Sequence, residues 1–201
     1  GLDVAGLFTG VAVGDVSNDG LPDVVLSEYG GLRLFRNDGA GRFEDTTAGS
    51  GLVSLWWGTS CGFLDFDRDG WLDLVVVNYV DLDASRLCYS RDGQRDFCGP
   101  TAFSGSPTLL FRNASAAGDA RQPKFEDVTK TSGIGALPGP GLGVQCADFD
   151  DDGWDDVFVA NDQQANRLWR NQHDGTFQDE AVLRGVAVNG LGRVAANMGT
   201  A

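Results

Sequence analysis

Three acidic nonapeptides sit on one repeating frame in this chain. Asp15–Asp23 reads D-V-S-N-D-G-L-P-D, Asp65–Asp73 reads D-F-D-R-D-G-W-L-D and Asp148–Asp156 reads D-F-D-D-D-G-W-D-D. Each runs into a β-favouring stretch at Val24, Leu74 or Val157. A second element follows as Leu34-Phe-Arg-Asn37, Leu110-Phe-Arg-Asn113 and Leu168-Trp-Arg-Asn171. A third reads Phe43-Glu-Asp45, Phe125-Glu-Asp127 and Phe177-Gln-Asp179. Glycine plus an aliphatic residue closes each unit at Gly51-Leu52, Gly133-Ile134 and Gly185-Val186, matching Gly6-Leu7 at the start. Four elements in one order, three times over, restrict the chain to a repeat architecture.

The closing glycines are 45, 82 and 52 residues apart. The middle unit is longer because of an insertion over 79–107 and an extended hairpin tip from Ala114 to Gln122. Without these, a unit has the length of one four-stranded propeller blade. Asp-Gly turns such as Asp174-Gly175 supply hairpin connections, and no stretch sustains a helical period. The expectation is an all-β chain of β-propeller blades: unit 1 over 1–50, unit 2 over 51–132, unit 3 over 133–184, and the first strand of an incomplete fourth over 185–201. Loop spacing places a fourth acidic loop near residue 200. Three blades are too few to close a ring, so the sequence reads as part of a longer protein or of an assembly. A start at glycine rather than methionine fits a processed product or fragment.

Aspartates at loop positions 1, 3, 5 and 9 converge hard oxygens on one point, position 7 adds a backbone carbonyl, and the position-6 glycine makes the sharp turn. That donor set suits Ca²⁺, whereas Mg²⁺ demands tighter octahedral geometry and Zn²⁺ favours His and Cys. The predicted ligands are Asp15, Ser17, Asp19, Leu21 and Asp23 in loop 1; Asp65, Asp67, Asp69, Trp71 and Asp73 in loop 2; and Asp148, Asp150, Asp152, Trp154 and Asp156 in loop 3. Ser17 stands where the other loops carry a carboxylate, so site 1 is expected to be the weakest of three. An EF-hand would need Glu at position 12; Leu26, Val76 and Val159 stand there, each inside a β run.

The D-x-D-x-D-G-x-x-D loop between strands, with L-F-R-N and F-E-D behind it, resembles the FG-GAP/VCBS repeats of β-propellers; integrin α-subunit heads carry related loops. The insertion from Asn78-Tyr-Val-Asp81 to Cys98-Gly-Pro100 resembles the family of secreted proteins related to cartilage acidic protein. Those proteins often end in an ASPIC/UnbV domain, which this sequence lacks. The resemblance implies a calcium-bearing propeller fold and says little about function.

With 15 basic and 29 acidic residues the net charge is −14, which argues against nucleic acid or an anionic membrane as partner. No apolar run reaches the ~18 residues of a membrane helix. Cys88 and Cys98, ten residues apart in the insertion, are predicted to form a disulfide that fastens a long loop. Cys61 and Cys146 share a strand face in adjacent units, so a bridge between units is expected, against the alternative of two buried thiols. Disulfides and calcium together suggest a secreted, extracellular or periplasmic setting. Asn113-Ala-Ser115 matches a glycosylation sequon.

No nucleophile elbow, Cys/His pair or phosphate loop is present, and His173, the one histidine, falls in a hairpin tip. The leading reading is a non-catalytic, calcium-stabilised module for adhesion, display or assembly, recognising a protein or glycan on a cell surface or matrix, or another copy of itself. The second is a lectin or polysaccharide lyase in which Trp56, Trp57, Tyr79, Tyr89 and Phe97 stack on sugars, although Trp56-Trp57 also suits blade packing. Arg36, Arg112 and Arg170 recur in every unit and are expected to serve structure, pairing with Asp45, Asp127 and Asp179 or reaching a neighbouring blade.

Overall fold

The structure, a computed structural model, describes residues 2–115 and 122–197. Phe8–Gly14 (β1), Asp23–Glu28 (β2), Gly31–Asn37 (β3) and Phe43–Asp45 (β4) form the first antiparallel sheet in chain order. Gly58–Leu64 (β5) and Asp73–Asn78 (β6) begin the second. A small ribbon, Cys88–Tyr89 (β7) with Arg95–Asp96 (β8), interrupts it before Leu109–Asn113 (β9) and Phe125–Asp127 (β10) complete it. Gly141–Ala147 (β11), Asp156–Asn161 (β12), Arg167–Asn171 (β13) and Phe177–Asp179 (β14) make the third. The chain is all-β, built of blade-like four-stranded sheets; one α-helical turn, Thr129–Ser132, follows β10. No helix among the described residues is long and apolar enough to cross a membrane.

The first strands, β1, β5 and β11, pack side by side, and all three carry a bulge at the same register point, between Phe8 and Gly10, Gly58 and Ser60, and Gly141 and Gly143. The core lies between the sheets. Val25, Leu34, Cys61, Val76 and Phe111 join sheets 1 and 2, while Val75, Leu110, Val157 and Trp169 join sheets 2 and 3. The middle sheet has neighbours on both faces, so every residue of β6 is buried, which accounts for the unbroken Leu74–Val77 run. On β1 the face equivalent to the Cys61 side of β5 has no neighbouring sheet among the described residues, and Val11 and Val13 are exposed there.

That geometry corrects the expected Cys61–Cys146 bridge. Both cysteines are free. Their shared face points toward the preceding sheet in each case: Cys61 packs into the sheet 1–2 core, and Cys146 lies against the sheet 2–3 core, its Sγ over Gly62. Equivalent faces of stacked sheets point the same way, so β5 itself separates the two thiols. Burial pushes both thiols up to about 12. The Cys88–Cys98 disulfide is present and closes the insertion beside the β7–β8 ribbon.

The expected fourth loop falls on residues outside those described. Between 185 and 197 no strand forms; an isolated bridge joins Asp162 to Ala196. The extended hairpin tip also lies largely outside the described residues. The sequon reading is corrected too: the Asn113 side chain is 1% exposed and donates to two backbone carbonyls, which leaves it inaccessible to a glycan.

The unit-closing glycines have a backbone reason. Gly51 has φ +87°, and a Cβ there would lie 2.1 Å from the Phe125 carbonyl oxygen of the next sheet. Gly30 has φ +77° with open space around it. Gly30→Ala should therefore cost about 1 kcal/mol from backbone strain alone, and Gly51→Ala at least about 2 kcal/mol more. Urea unfolding of both variants checks this; equal losses would contradict the close approach.

Candidate metal centre

Each acidic loop connects the first two strands of its sheet, and its turn is set by two left-handed residues. Position 4 is Asn18, Arg68 or Asp151, at φ 53° to 59°, and position 6 is Gly20, Gly70 or Gly153, at φ 86° to 87°. Position 1 then ties the loop together. Asp15 accepts from Asp19 and Gly20 N–H, Asp65 from Gly70 N–H at 3.0 Å, and Asp148 from Asp152 and Gly153 N–H. Position 5 accepts from the position-7 N–H: Leu21 to Asp19, Trp71 to Asp69 and Trp154 to Asp152.

Position 9 is the deepest. Asp23 and Asp73 are fully buried and Asp156 is 1% exposed, yet both oxygens of each accept backbone N–H groups. One comes from loop position 2 (Val16, Phe66 or Phe149), the other from the hairpin asparagine (Asn37, Asn113 or Asn171). Burial raises all three carboxyls above the usual range despite those donors; for Asp73, with the charges of Asp67 and Asp69 adding, the rise reaches about 8.

The structure brings together Asp65, Asp67 and Asp73 in loop 2, and Asp148, Asp150 and Asp152 in loop 3, with one oxygen from each within 4.8 Å of the others. Loop 1, with Ser17 buried and 3.5 Å from Asp15 Oδ1, is not among these groupings. Asp65 Oδ1 and Asp150 Oδ1 are buried and meet no hydrogen-bond donor among the described residues. Acceptor oxygens withdrawn from water and unpaired by protein fit a cation of the hard-oxygen class.

The recurrent arginines correct a second expectation. Arg112 pairs with Asp67 at 2.9 Å and Asp69 at 3.8 Å, Arg170 with Asp150 and Asp152, and Arg36 with Asp19 and Glu44. They lean on the acidic loop of their own sheet. Asp45 and Asp127 instead accept from Thr47 and Thr129 N–H, opening the next turn, and Asp179 takes Arg167. The charge pattern hid this because the loop lies 17 or more residues away in sequence. His173 is half-exposed. Its ring stacks on Trp154 at 4.9 Å and its Nε2 lies 2.8 Å from Asp152. Burial acts to raise Asp152, but His173, the Trp154 N–H and Arg170 outweigh it and hold the carboxyl below its ordinary value.

At the opposite end of the sheets, a cavity of about 610 Å³ is lined by Trp57, Tyr79, Phe97, Phe103, Arg86 and Arg95 among others. Trp57 meets Tyr29 and Tyr79 edge-on, whereas Trp56 packs against the sheet 1–2 core. Tyr89 is exposed and does not line this cavity.

Among known proteins, the FG-GAP-like repeat family matches residues 6–76 and 148–197. The gap spans the insertion and the lengthened hairpin. Cartilage acidic protein 1 of Xenopus tropicalis is 28% identical over 180 residues, covering 85% of this chain and 23% of the relative. The Mus musculus protein of that name is 30% identical over 167 residues, covering 80% of this chain and 21% of its own. The chain therefore spans less than a quarter of the length of the curated relatives it matches.

With Arg170 facing two loop carboxylates, Arg170→Met should lower the melting temperature in chelator. If an ion occupies the loop, the loss should be clearly smaller in millimolar calcium, because a bound cation would relieve the same repulsion. Thermal unfolding under both conditions tests this; equal losses would make Arg170 a packing residue only.

Proposed function

Because this chain belongs to the FG-GAP-like repeat family, we propose that it is a calcium-binding, calcium-stabilised propeller segment acting outside the cell as a non-catalytic adhesion, display or assembly module. One observation carries the metal reading: oxygens from three aspartates converge in loops 2 and 3, while Asp65 Oδ1 and Asp150 Oδ1 stay buried and unpaired. Asp65, Asp67, Asp69 and Asp73 would hold one ion, and Asp148, Asp150, Asp152 and Asp156 another. Loop 1, with Ser17 at position 3, would hold a third more weakly. The ion supplies neutralisation of clustered carboxylates, which stabilises the turn joining two strands. The Cys88–Cys98 disulfide suits an oxidising compartment with ample calcium. A net charge of −14 favours a protein or glycan partner, or self-assembly, over polyanions.

A second reading rests on the aromatic cavity. Trp57, Tyr79 and Phe97 share it with Arg86 and Arg95, a lining that suits a sugar ring. Saturable retention on a glycan array, lost in Trp57→Ala, would favour that lectin-like role; turnover of a polysaccharide would favour a lyase.

Calcium titration with thermal unfolding tests the leading reading. At ion affinities of about 10⁻⁴ M, common for extracellular sites, 2 mM calcium should stabilise the fold by about 2 kcal/mol per site, and chelator should reverse this. Magnesium should do less. Ser17→Asp should tighten the weakest binding step. Identical melting curves in calcium and chelator would sink the reading.

A further inference from the structure

The hairpin asparagines tie neighbouring acidic loops together. Asn171 is fully buried. Its backbone N–H donates to Asp156 of loop 3 at 2.8 Å, while its side-chain Nδ2 donates to the Phe66 carbonyl of loop 2 at 2.9 Å. The N–H of Phe66, in turn, holds Asp73 of loop 2 at 3.1 Å. The pattern repeats one sheet earlier. Asn113 N–H holds Asp73 at 2.7 Å, its Nδ2 reaches the Val16 carbonyl of loop 1 at 2.9 Å, and Val16 N–H holds Asp23 at 3.2 Å. Position 4 adds contacts in the other direction: Asn18 Nδ2 donates to the Gly70 carbonyl at 3.0 Å, and the Arg68 guanidinium lies 5.4 Å over the Trp154 ring.

From this relay we infer that Asn113 and Asn171 are positioning residues shared between adjacent metal loops, so that ion binding at one loop tightens binding at the loop before it. The inference rests on the calcium reading above. Were loop 3 closed on an ion held by Asp148, Asp150 and Asp152, the turn leading into Asp156 would be fixed, and with it the Asn171 backbone bonded to Asp156. The fixed Asn171 side chain then holds the Phe66 peptide, which is already in place to orient Asp73 when loop 2 binds. Ordering that loop 2 would otherwise supply alone is shared, and shared ordering is positive coupling. Each asparagine keeps its carboxylate contact through the backbone, so removing the Asn171 side chain spares that contact while it cuts the link between loops, together with its bonds to the Asp155 carbonyl and the His173 N–H.

A double-mutant cycle reads this directly. The NMR shift of the Gly70 amide reports calcium at loop 2 in four chains: wild type, Asp150→Asn/Asp152→Asn, Asn171→Ala, and all three substitutions together. Disabling loop 3 should raise the Gly70 midpoint about fivefold when Asn171 is present. In the Asn171→Ala background the rise should shrink to the small electrostatic part left by two lost charges. An unchanged Gly70 midpoint on disabling loop 3 overturns the inference, as does an undiminished rise in the Asn171→Ala background. The first comparison needs no Asn171 variant and stands even if that variant unfolds. If Gly70 does not respond to calcium in wild type, the calcium reading itself fails; if it titrates with no dependence on loop 3, only the coupling does.

Discussion

A carboxylate with almost no solvent exposure stands at the heart of every unit. Asp23, Asp73 and Asp156 open the second strand of their sheets, where an ionised group without partners would be costly. Two backbone N–H groups meet each one, from the loop before it and from the end of the third strand. One side chain therefore clamps three points of the blade. Burial still raises these carboxyls, so the clamp is only part-compensated by protein donors. In loop 2, Asp65 and Asp67 gather oxygens beside Asp73.

Stacking of sheets supplies the remaining stability. The middle sheet presents one face to the unit before and the other to the unit after, and the apolar cores are the seams between sheets. The same rule decides details that look unrelated: β6 is buried throughout, Val11 and Val13 of β1 are exposed, and two cysteines on equivalent faces never meet. It also puts the acidic loops in a row at one end, close enough for asparagines to span the seams, and the aromatic cavity of the insertion at the other.

Much of this was legible in the residues. The repeated nonapeptide fixed where strands change over, the Asp-Gly turns marked hairpins, and the short spacing of Cys88 and Cys98 marked a closed loop. Period-two alternation also placed Cys61 and Cys146 on one face, but alternation does not say what lies opposite, and β5 lies between them. The roles of Arg112 and Asn113 were hidden for another reason. Their partners Asp67, Asp73 and Val16 are separated from them by the insertion or by a whole unit, so no local spacing could signal the contact. The left-handed position 4 of each loop escaped notice because Asn18, Arg68 and Asp151 share no residue type.

The most direct measurement is a crystal structure of the chain grown in calcium, with anomalous scattering used to locate the ions. The account predicts peaks in loops 2 and 3 at about 2.3–2.6 Å from Asp65 Oδ1 and Asp150 Oδ1. Anomalous maps empty at both loops, or ions found only on exposed carboxylates elsewhere, would contradict it.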